Sequence, residues 1–242
     1  ICAYIEGLRD GKRFIEVAKE VAKKKPVIAI KGGITEKGAK ATLSHTASLA
    51  GSPEIYSGVF KQCGIIETDS IESMFNFAKV LDLCPKPKGR RVQVITNGGG
   101  FGILCADHLY KHKLAVNDMP NSMKKELSRL FSKDTIVSNP LDLTGAATTE
   151  QYKVAIDRAM KHKDIDIILV VLLMQTPLVT PEAVTYVIEK NNERKKPIIV
   201  ISTGGDFVQI HKKHLEEERV PCFMYPSNAV ESIAALCNYY KV

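Results

Sequence analysis

Short apolar runs alternate with helix-like segments along almost the whole chain, and this alternation is the strongest constraint on the fold. The runs have the length of buried strands, and the segments between them carry apolar residues at helical spacing. The runs lie at residues 27–30, 91–96, 165–174, 197–202 and 220–225. Strands that alternate with helices form a mostly parallel sheet with helices on both faces. The sequence therefore predicts an α/β protein with two flavodoxin-like, mostly parallel sheets.

The segment from Pro85 to Gly89 interrupts the alternation, because it contains two prolines and one glycine. Clusters of these residues are typical of loops and linkers. We therefore expect a first domain at residues 1–85, a linker at 86–89 and a second domain at 90–242. The chain begins at Ile1, without Met and directly in a strand-like segment, so we expect the N-terminal part of the first domain to be missing.

The composition excludes several classes of protein. Of the 242 residues, 45% are apolar and 25% are charged, as in an ordinary soluble protein. No apolar run reaches the roughly 18 residues that span a membrane. The six cysteines form no Cys-x-x-Cys pair, which favours buried thiols in a reducing cytoplasm. The net charge of +7 comes mostly from lysines at the ends of helix-like segments, without interleaved aromatic residues, so we expect no nucleic-acid partner.

The stretch at residues 31–51 follows a buried strand directly, and open α/β sheets bind their ligands where such strands end. We expect this stretch to be a loop. It holds His45 between Ser44 and Thr46, among glycines and alanines that let a charged group come close. A neutral imidazole is a nucleophile near neutral pH. The residues alone leave two interpretations equally open, a phosphoryl acceptor or a histidine that only hydrogen-bonds.

A glycine run marks a second candidate site. Asn97, Gly98, Gly99 and Gly100 lie between a predicted strand and a helix that we expect to start near Phe101. Glycines there turn backbone N–H groups toward a ligand, and the helix dipole adds about half a positive charge. This pattern favours anion binding. The alternative is a tight turn that needs positive φ angles.

Three acidic or amide residues are further candidates. Glu6 ends the first predicted strand, where it could hydrogen-bond an imidazole or remain a solvated strand-end carboxylate. Asn139 and Asp142 flank a proline in a segment that is either part of the site or a capped turn.

Four motifs occur in one order over nearly the whole chain. They are Tyr4-Ile5-Glu6-Gly7, Gly-Gly-x-Thr-x-x-Gly-x-x-Ala-x-x-Ser-His-Thr-x-x-x-Ala-Gly from Gly32 to Gly51, Thr96-Asn97-Gly98-Gly99-Gly100-Phe101-Gly102, and Asn139-Pro140-Leu141-Asp142-Leu143-Thr144-Gly145. Together they resemble the ADP-forming acyl-CoA synthetases, relatives of succinyl-CoA synthetase, and the second motif resembles the phosphohistidine loop of that family.

The resemblance implies a reaction, acyl-CoA + ADP + phosphate ⇌ acid + CoA + ATP, with acetate-type enzymes as the nearest match. It implies that His45 carries the phosphoryl group, that Glu6 is its partner and that the helix after the glycine run faces the phosphate. Implied cofactors are CoA, ADP or ATP, phosphate and Mg2+, with the CoA and nucleotide sites mainly outside this chain. Implied partners are a CoA-binding domain and an ATP-grasp domain or subunit, in an oligomer. We expect residues 1–242 alone to be inactive.

Two other classes of function remain open. One is the regulatory synthetase-like region of protein lysine acyltransferases, which typically lacks the histidine. The other is a flavodoxin-like module that binds a ligand or a partner without chemistry. The remaining histidines, at positions 108, 112, 162, 211 and 214, lie in helix-like segments rich in Lys and Glu. We expect them on the surface and predict no metal site, because no carboxylate or cysteine set completes one.

Overall fold

The structure is a computed structural model that describes the backbone of residues 1–46 and 52–242 and the side chains of residues 1–42 and 52–242. The chain divides into two compact units, Ile1–Leu81 and Asp82–Val242. Within the described residues, no helix has both the length and the apolar character needed to cross a membrane.

The first unit contains a parallel sheet in the order β1-β2-β3. The elements, in chain order, are β1 (Cys2–Ile5), α1 (Gly11–Lys24), β2 (Ile28–Lys31), α2 (Glu36–Thr46), α3 (Pro53–Cys63) and β3 (Ile66–Glu67), followed by α4 (Ile71–Leu83). The central strand β2 is buried along its whole length. Its core neighbours include Ala18 of α1 and Tyr56 and Phe60 of α3.

Helices of this unit start and end at capping residues, as the sequence predicts. The Asp10 side chain accepts a hydrogen bond from the backbone N–H of Arg13 at 2.9 Å, which caps α1. Pro53 occupies the first turn of α3, where its missing N–H has no intrahelical partner to lose. Gly64 ends α3 with a φ of 76°, a left-handed conformation that glycine adopts without steric cost.

Helix α2 is the main difference from the sequence-based expectation, which predicted a loop over residues 31–51. The backbone is helical over Glu36–Thr46, and the Thr35 hydroxyl accepts a hydrogen bond from the N–H of Gly38 at 3.1 Å. The prediction gave weight to the glycines and hydroxyls of this stretch. It overlooked the capping threonine and the alanines and lysines that follow it, which favour a helix.

The second unit has a five-stranded parallel sheet in the order β5-β4-β6-β7-β8. Its strands are β4 (Val92–Thr96), β5 (Leu141–Asp142), β6 (Ile167–Val171), β7 (Ile198–Ile201) and β8 (Cys222–Phe223). Its helices are α5 (Gly99–Lys111), α6 (Asn121–Leu130), α7 (Thr149–Lys161), α8 (Glu182–Asn192), α9 (Asp206–Glu217) and α10 (Pro226–Tyr240). Renumbered within the unit, this is the order 2-1-3-4-5 of flavodoxin-like folds. The predicted fold class is therefore confirmed.

The three central strands of this sheet are buried at every position, because helices cover both faces. Helix α5 packs against α10, and α7 packs against α8. A reciprocal capping box between Thr148 and Gln151 begins α7. Helix α5 begins at Gly99, with Gly98 as its N-cap, and not near Phe101 as the sequence suggested.

Candidate functional site

The strand order of the second unit indicates at which end of the sheet a ligand would bind. The chain leaves β4 toward β5 on one side, whereas β6 lies on the other side of β4. In open α/β sheets, ligands bind outside the carboxyl ends of the strands at such a reversal. Helix α5 begins directly at the carboxyl end of β4, so its N-terminus lies at this position.

The first turn of α5 presents backbone N–H groups at this edge. The first intrahelical bond runs from the N–H of Gly102 to the carbonyl of Gly98 at 3.1 Å. The N–H groups of Gly99, Gly100 and Phe101 precede it, so they have no carbonyl of their own helix to bond. Gly98 supplies no side-chain cap. This arrangement can receive an anion.

Gly98 and Gly99 are needed for close approach, and none of the three glycines is needed for an unusual turn. Gly98 has a φ of −134°, and none of the three is among the glycines with positive φ, so the tight-turn alternative is wrong. A Cβ at Gly98 would lie 2.6 Å from Cδ1 of Leu173, and a Cβ at Gly99 would lie 2.7 Å from Oδ2 of Asp142. Only Gly100, which is exposed, would meet nothing within 4 Å. The open space above the first turn is therefore at Gly100.

Asp142 lies at the same helix terminus. It pairs with Thr96 at the carboxyl end of β4, and its Oδ1 accepts a hydrogen bond from the N–H of Thr144 at 2.8 Å. Thr144 adopts a φ of 66°, which is uncommon for a residue other than glycine. A carboxylate near a helix N-terminus is favourable to the dipole. The structure thus brings Asp142 and the glycine run together.

Asn97 has a structural position at the same edge. Its side chain is 3% exposed. Its Nδ2 donates to the Leu173 carbonyl and to Oγ1 of Thr176, both at 2.9 Å, while its Oδ1 accepts from the N–H of Leu173 at 3.0 Å. These bonds tie the loop after β4 to the loop after β6. Asn97 therefore holds the crevice in shape and offers little of its amide to a ligand.

Asn139 lies away from the glycine run. Its Oδ1 accepts from the N–H of Val94 at 2.9 Å, and its Nδ2 donates to the carbonyls of Val92 at 2.8 Å and Asn117 at 3.0 Å. Asp142 lies three positions further along the chain, in β5. The structure does not bring Asn139 to the α5 terminus, and its contacts give it a role in holding the edge of β4.

In the first unit, Glu6 follows β1 and Lys31 ends β2, so both lie at one edge of the sheet. Gly33, in the turn after β2, has a φ of 72° and lies against Thr42 of α2. The helix that follows this turn includes Ser44, His45 and Thr46 in its backbone. The side chains of these three residues lie outside the described part of the chain.

Lys31 is a residue that the sequence analysis did not single out. Its side chain is buried at 6% exposure, and Nζ donates to the carbonyl of Glu6 at 2.9 Å and to that of Gly32. Burial lowers the pKa of Lys31, and the charge of Glu6 partly opposes this effect. A lysine that directly follows a four-residue apolar run was the available signal, since charged residues are uncommon inside buried strands.

No group of three or more potential metal ligands occurs among the described residues. Of the remaining histidines, His214 is exposed and the other four are half-buried. Burial and the nearby His214 lower the pKa of His211, so it favours the neutral form.

Two known domain families match this chain. Residues 1–81 match the succinyl-CoA ligase like flavodoxin domain, and residues 92–242 match the Ligase-CoA domain. The second match covers more than half of the chain, so the chain belongs to the Ligase-CoA domain family.

Individual relatives agree with this assignment. The alpha subunit of ADP-forming acetate–CoA ligase I from Pyrococcus furiosus is 40% identical over 100% of this chain and 52% of its own length. ADP-forming acetate–CoA ligase from Methanocaldococcus jannaschii is 36% identical over 99% of this chain and 34% of its own length. The solved structure of dinucleotide forming acetyl-coenzyme A synthetase 1 from Candidatus Korarchaeum cryptofilum, in complex with phosphate and ADP, matches with a TM-score of 0.90 and 34% identity, over 100% of this chain and 53% of that one. The resemblance to ADP-forming acyl-CoA synthetases is thus confirmed, and the chain spans about half or less of these proteins.

Proposed function

We propose that this chain is the histidine-bearing part of an ADP-forming acyl-CoA ligase whose acyl group is acetyl. The overall reaction is acetyl-CoA + ADP + phosphate ⇌ acetate + CoA + ATP. Support comes from the names of the three relatives reported above, two ADP-forming acetate–CoA ligases and an acetyl-CoA synthetase, and from their matches, which cover 99% to 100% of this chain.

The proposed chemistry has three balanced steps. Phosphate attacks the thioester carbonyl, and the C–S bond breaks to give acetyl phosphate and the CoA thiolate. An imidazole nitrogen of His45 attacks phosphorus, and the P–O bond breaks so that acetate leaves with its electron pair. An oxygen of the ADP β-phosphate then attacks the phosphohistidine, and the P–N bond breaks to restore the imidazole and give ATP.

One observation carries this proposal. Glu6 and helix α2, whose backbone includes His45, follow neighbouring parallel strands and therefore leave the sheet at the same edge. The proposed role of Glu6 is to hydrogen-bond the imidazole and stabilise the positive charge that develops when it is phosphorylated. Ser44 and Thr46 are proposed to donate hydroxyl hydrogen bonds to the phosphoryl oxygens.

We propose the α5 terminus as a phosphate-binding site of the second unit. Its first-turn N–H groups and helix dipole suit a phosphoryl group, and the open space at Gly100 leaves room for one. Asp142 beside Gly99 lies where the carboxylate could bind Mg2+ that accompanies a nucleotide. Phosphoryl transfer depends mainly on positioning and on stabilising charge, which is what these groups offer.

Activity of the whole enzyme needs a CoA site, a nucleotide site and the domains that carry them. We propose a CoA-binding domain and an ATP-grasp domain or subunit as partners, in an oligomer. The relatives are about two to three times as long as the matched region, which is consistent with further domains. A regulatory role in a lysine acyltransferase is less well supported, because the relatives reported above are named as ligases and this chain retains His45.

The test is phosphorylation of the full-length protein with ATP labelled on its γ-phosphate. We expect a label that is lost in acid and stable in base, the behaviour of a phosphohistidine, and no label in the His45→Asn variant. The exposed His214 provides the matched control, His214→Asn, which keeps the label. Retention of the label in the His45→Asn variant would overturn the proposal, as would normal ATP synthesis by that variant.

A further inference from the structure

Lys31 is a charged residue where the rest of the strand is apolar. The other members of β2 are Ile28, Ala29 and Ile30, all buried, and Lys31 continues the strand at 6% exposure. Moving an ammonium group out of water is unfavourable unless hydrogen bonds and charges compensate for it. The contacts of this lysine show what compensates for its burial.

The ammonium group of Lys31 joins three segments of the first unit. It donates to the carbonyl of Glu6 at 2.9 Å, just after β1, and to the carbonyl of Gly32, just after β2. It also lies 4.7 Å from the ring centroid of Tyr56 in α3, within the range of a cation–π contact. An ammonium has three N–H donors, so two carbonyls and one ring face account for all of them.

These contacts fix the backbone from which the Glu6 side chain projects. The N–H of Gly32 also donates to the carbonyl of Ile5 at 2.9 Å, so the peptides on both sides of Glu6 are held by the end of β2. Glu6 is half-buried, and its charge interacts favourably with the Lys31 ammonium. Lys31 therefore holds the backbone of Glu6 and places a positive charge near its carboxylate.

An uncharged residue at position 31 would end the strand without the cost of removing a charge from water. Replacement of buried charges by apolar residues is often neutral or stabilising. We infer that Lys31 is the positioning residue of the proposed phosphoryl-transfer site, which holds Glu6 in the orientation that lets its carboxylate act on the histidine. Lys31 acts through Glu6 and does not touch the phosphoryl group, because its three donors are already engaged within the fold. The inference rests on the proposed function of Glu6 and His45.

The experiment measures the rate of histidine phosphorylation by labelled ATP in the full-length protein by rapid quench. We expect Lys31→Met, which keeps the length of the side chain and removes its charge, to slow phosphorylation about tenfold or more, the effect of losing one charge-assisted hydrogen bond. The ATP concentration at half-maximal rate stays unchanged, because Lys31 does not bind nucleotide. The matched control is Lys24→Met, which removes an exposed lysine of the same unit and leaves the rate unchanged.

A double-mutant cycle separates positioning from simple support of the fold. If Lys31 acts through Glu6, then adding Lys31→Met to Glu6→Gln slows the reaction no further than Glu6→Gln alone. Lys31→Arg, which keeps the charge, recovers a larger part of the rate than Lys31→Met. If Lys31→Met does not fold, Lys31→Gln takes its place in the cycle, because its amide can still donate to one of the two carbonyls.

Three results would overturn the inference. They are a normal rate in the neutral variants, independent losses that multiply in the double variant, and no recovery with Lys31→Arg. These results differ from failure of the proposed function, which the unsubstituted protein reports first. Absence of a label there, or a label that survives His45→Asn, overturns the proposed function and this inference with it.

Discussion

Replacement of Gly100 by alanine tests the anion site at the start of α5, because we expect stability and activity to change in opposite directions. A Cβ at Gly100 would meet nothing within 4 Å, and its φ is not positive, so alanine fits the folded chain. Alanine in place of a helical glycine stabilises by about 0.5–1 kcal/mol, and in a domain of this size 1 kcal/mol raises the Tm by about 2–4 °C. We therefore expect Gly100→Ala to unfold about 1–4 °C higher.

The same methyl group would occupy the space through which a phosphate reaches the first-turn N–H groups. Loss of one hydrogen bond to a charged group costs about 1.5–3 kcal/mol, which corresponds to roughly a tenfold to hundredfold weaker interaction. Steady-state ATP synthesis by the full-length protein, from acetyl-CoA, ADP and varied phosphate, should therefore show a raised KM for phosphate, a lowered kcat or both. Thermal unfolding followed by circular dichroism gives the Tm.

Gly99→Ala is the matched comparison, since its Cβ would lie 2.7 Å from Oδ2 of Asp142 and force that carboxylate to move. Overpacking of this kind costs about 1–3 kcal/mol, so this variant loses both stability and activity. If Gly100→Ala is more stable and synthesises ATP with unchanged kcat and KM, then no anion binds at the α5 terminus and the reasoning fails.

Two further predictions concern the stability of the second unit. Arg91 donates from Nε to Asp166 at 2.8 Å, and Asp166 also accepts from the Arg91 backbone N–H at 3.0 Å; Arg91 holds the pKa of this buried carboxyl below its usual range. Asp166→Asn should therefore lower the free energy of unfolding by about 2 kcal/mol in urea titrations at pH 7. Asp164 is a half-exposed partner of the same arginine, and Asp164→Asn should lower it by less than about 0.5 kcal/mol. Equal losses would contradict the conclusion that the buried carboxylate is the stronger partner. Burial raises the pKa of the Cys105 thiol to about 12 and that of Cys237 to about 11. A thiol in the unfolded chain has a pKa of about 8.5, below both of these folded-state values. The contribution of the two neutral thiols to the stability of the fold is therefore complete below about pH 8.5. As the pH rises toward 11, the free energy of unfolding falls by about 1.4 kcal/mol per pH unit for each thiol. Urea unfolding at pH 8, 9 and 10 under reducing conditions measures the slope, which should be smaller in Cys105→Ala; an unchanged slope would refute the prediction.

Much of the fold could be predicted from short-range patterns. The apolar runs became buried strands, Asp10 caps α1, and Pro53 and Gly64 mark the ends of α3. These signals depend on neighbours within one or two turns, so they can be read without knowledge of the rest of the chain. In α2 two local signals competed. The prediction gave more weight to the glycines and hydroxyls of the motif than to the capping threonine and the helix-forming residues, so it missed the helix.

The candidate site could be predicted only in part. Asp142 and the glycine run are 42 residues apart in sequence, yet parallel pairing of β4 with β5 brings them together. The same pairing carries Asn139 to contacts with Val92 and Val94, although it belongs to the same motif as Asp142. A shared motif therefore did not mean a shared location.

The sequence by itself determined the α/β class, the parallel arrangement and the family to which the chain belongs, because these follow from periodicity, caps and motif order. Tertiary structure alone decided which polar groups remain open to a ligand. The amide of Asn97 hydrogen-bonds to the loop after β6, whereas the space beside Gly100 at the start of α5 is open. Lys31 became a buried link between the ends of two strands and α3. Hydrogen-bond satisfaction depends on groups far apart in sequence, and only the folded chain specifies which of them meet.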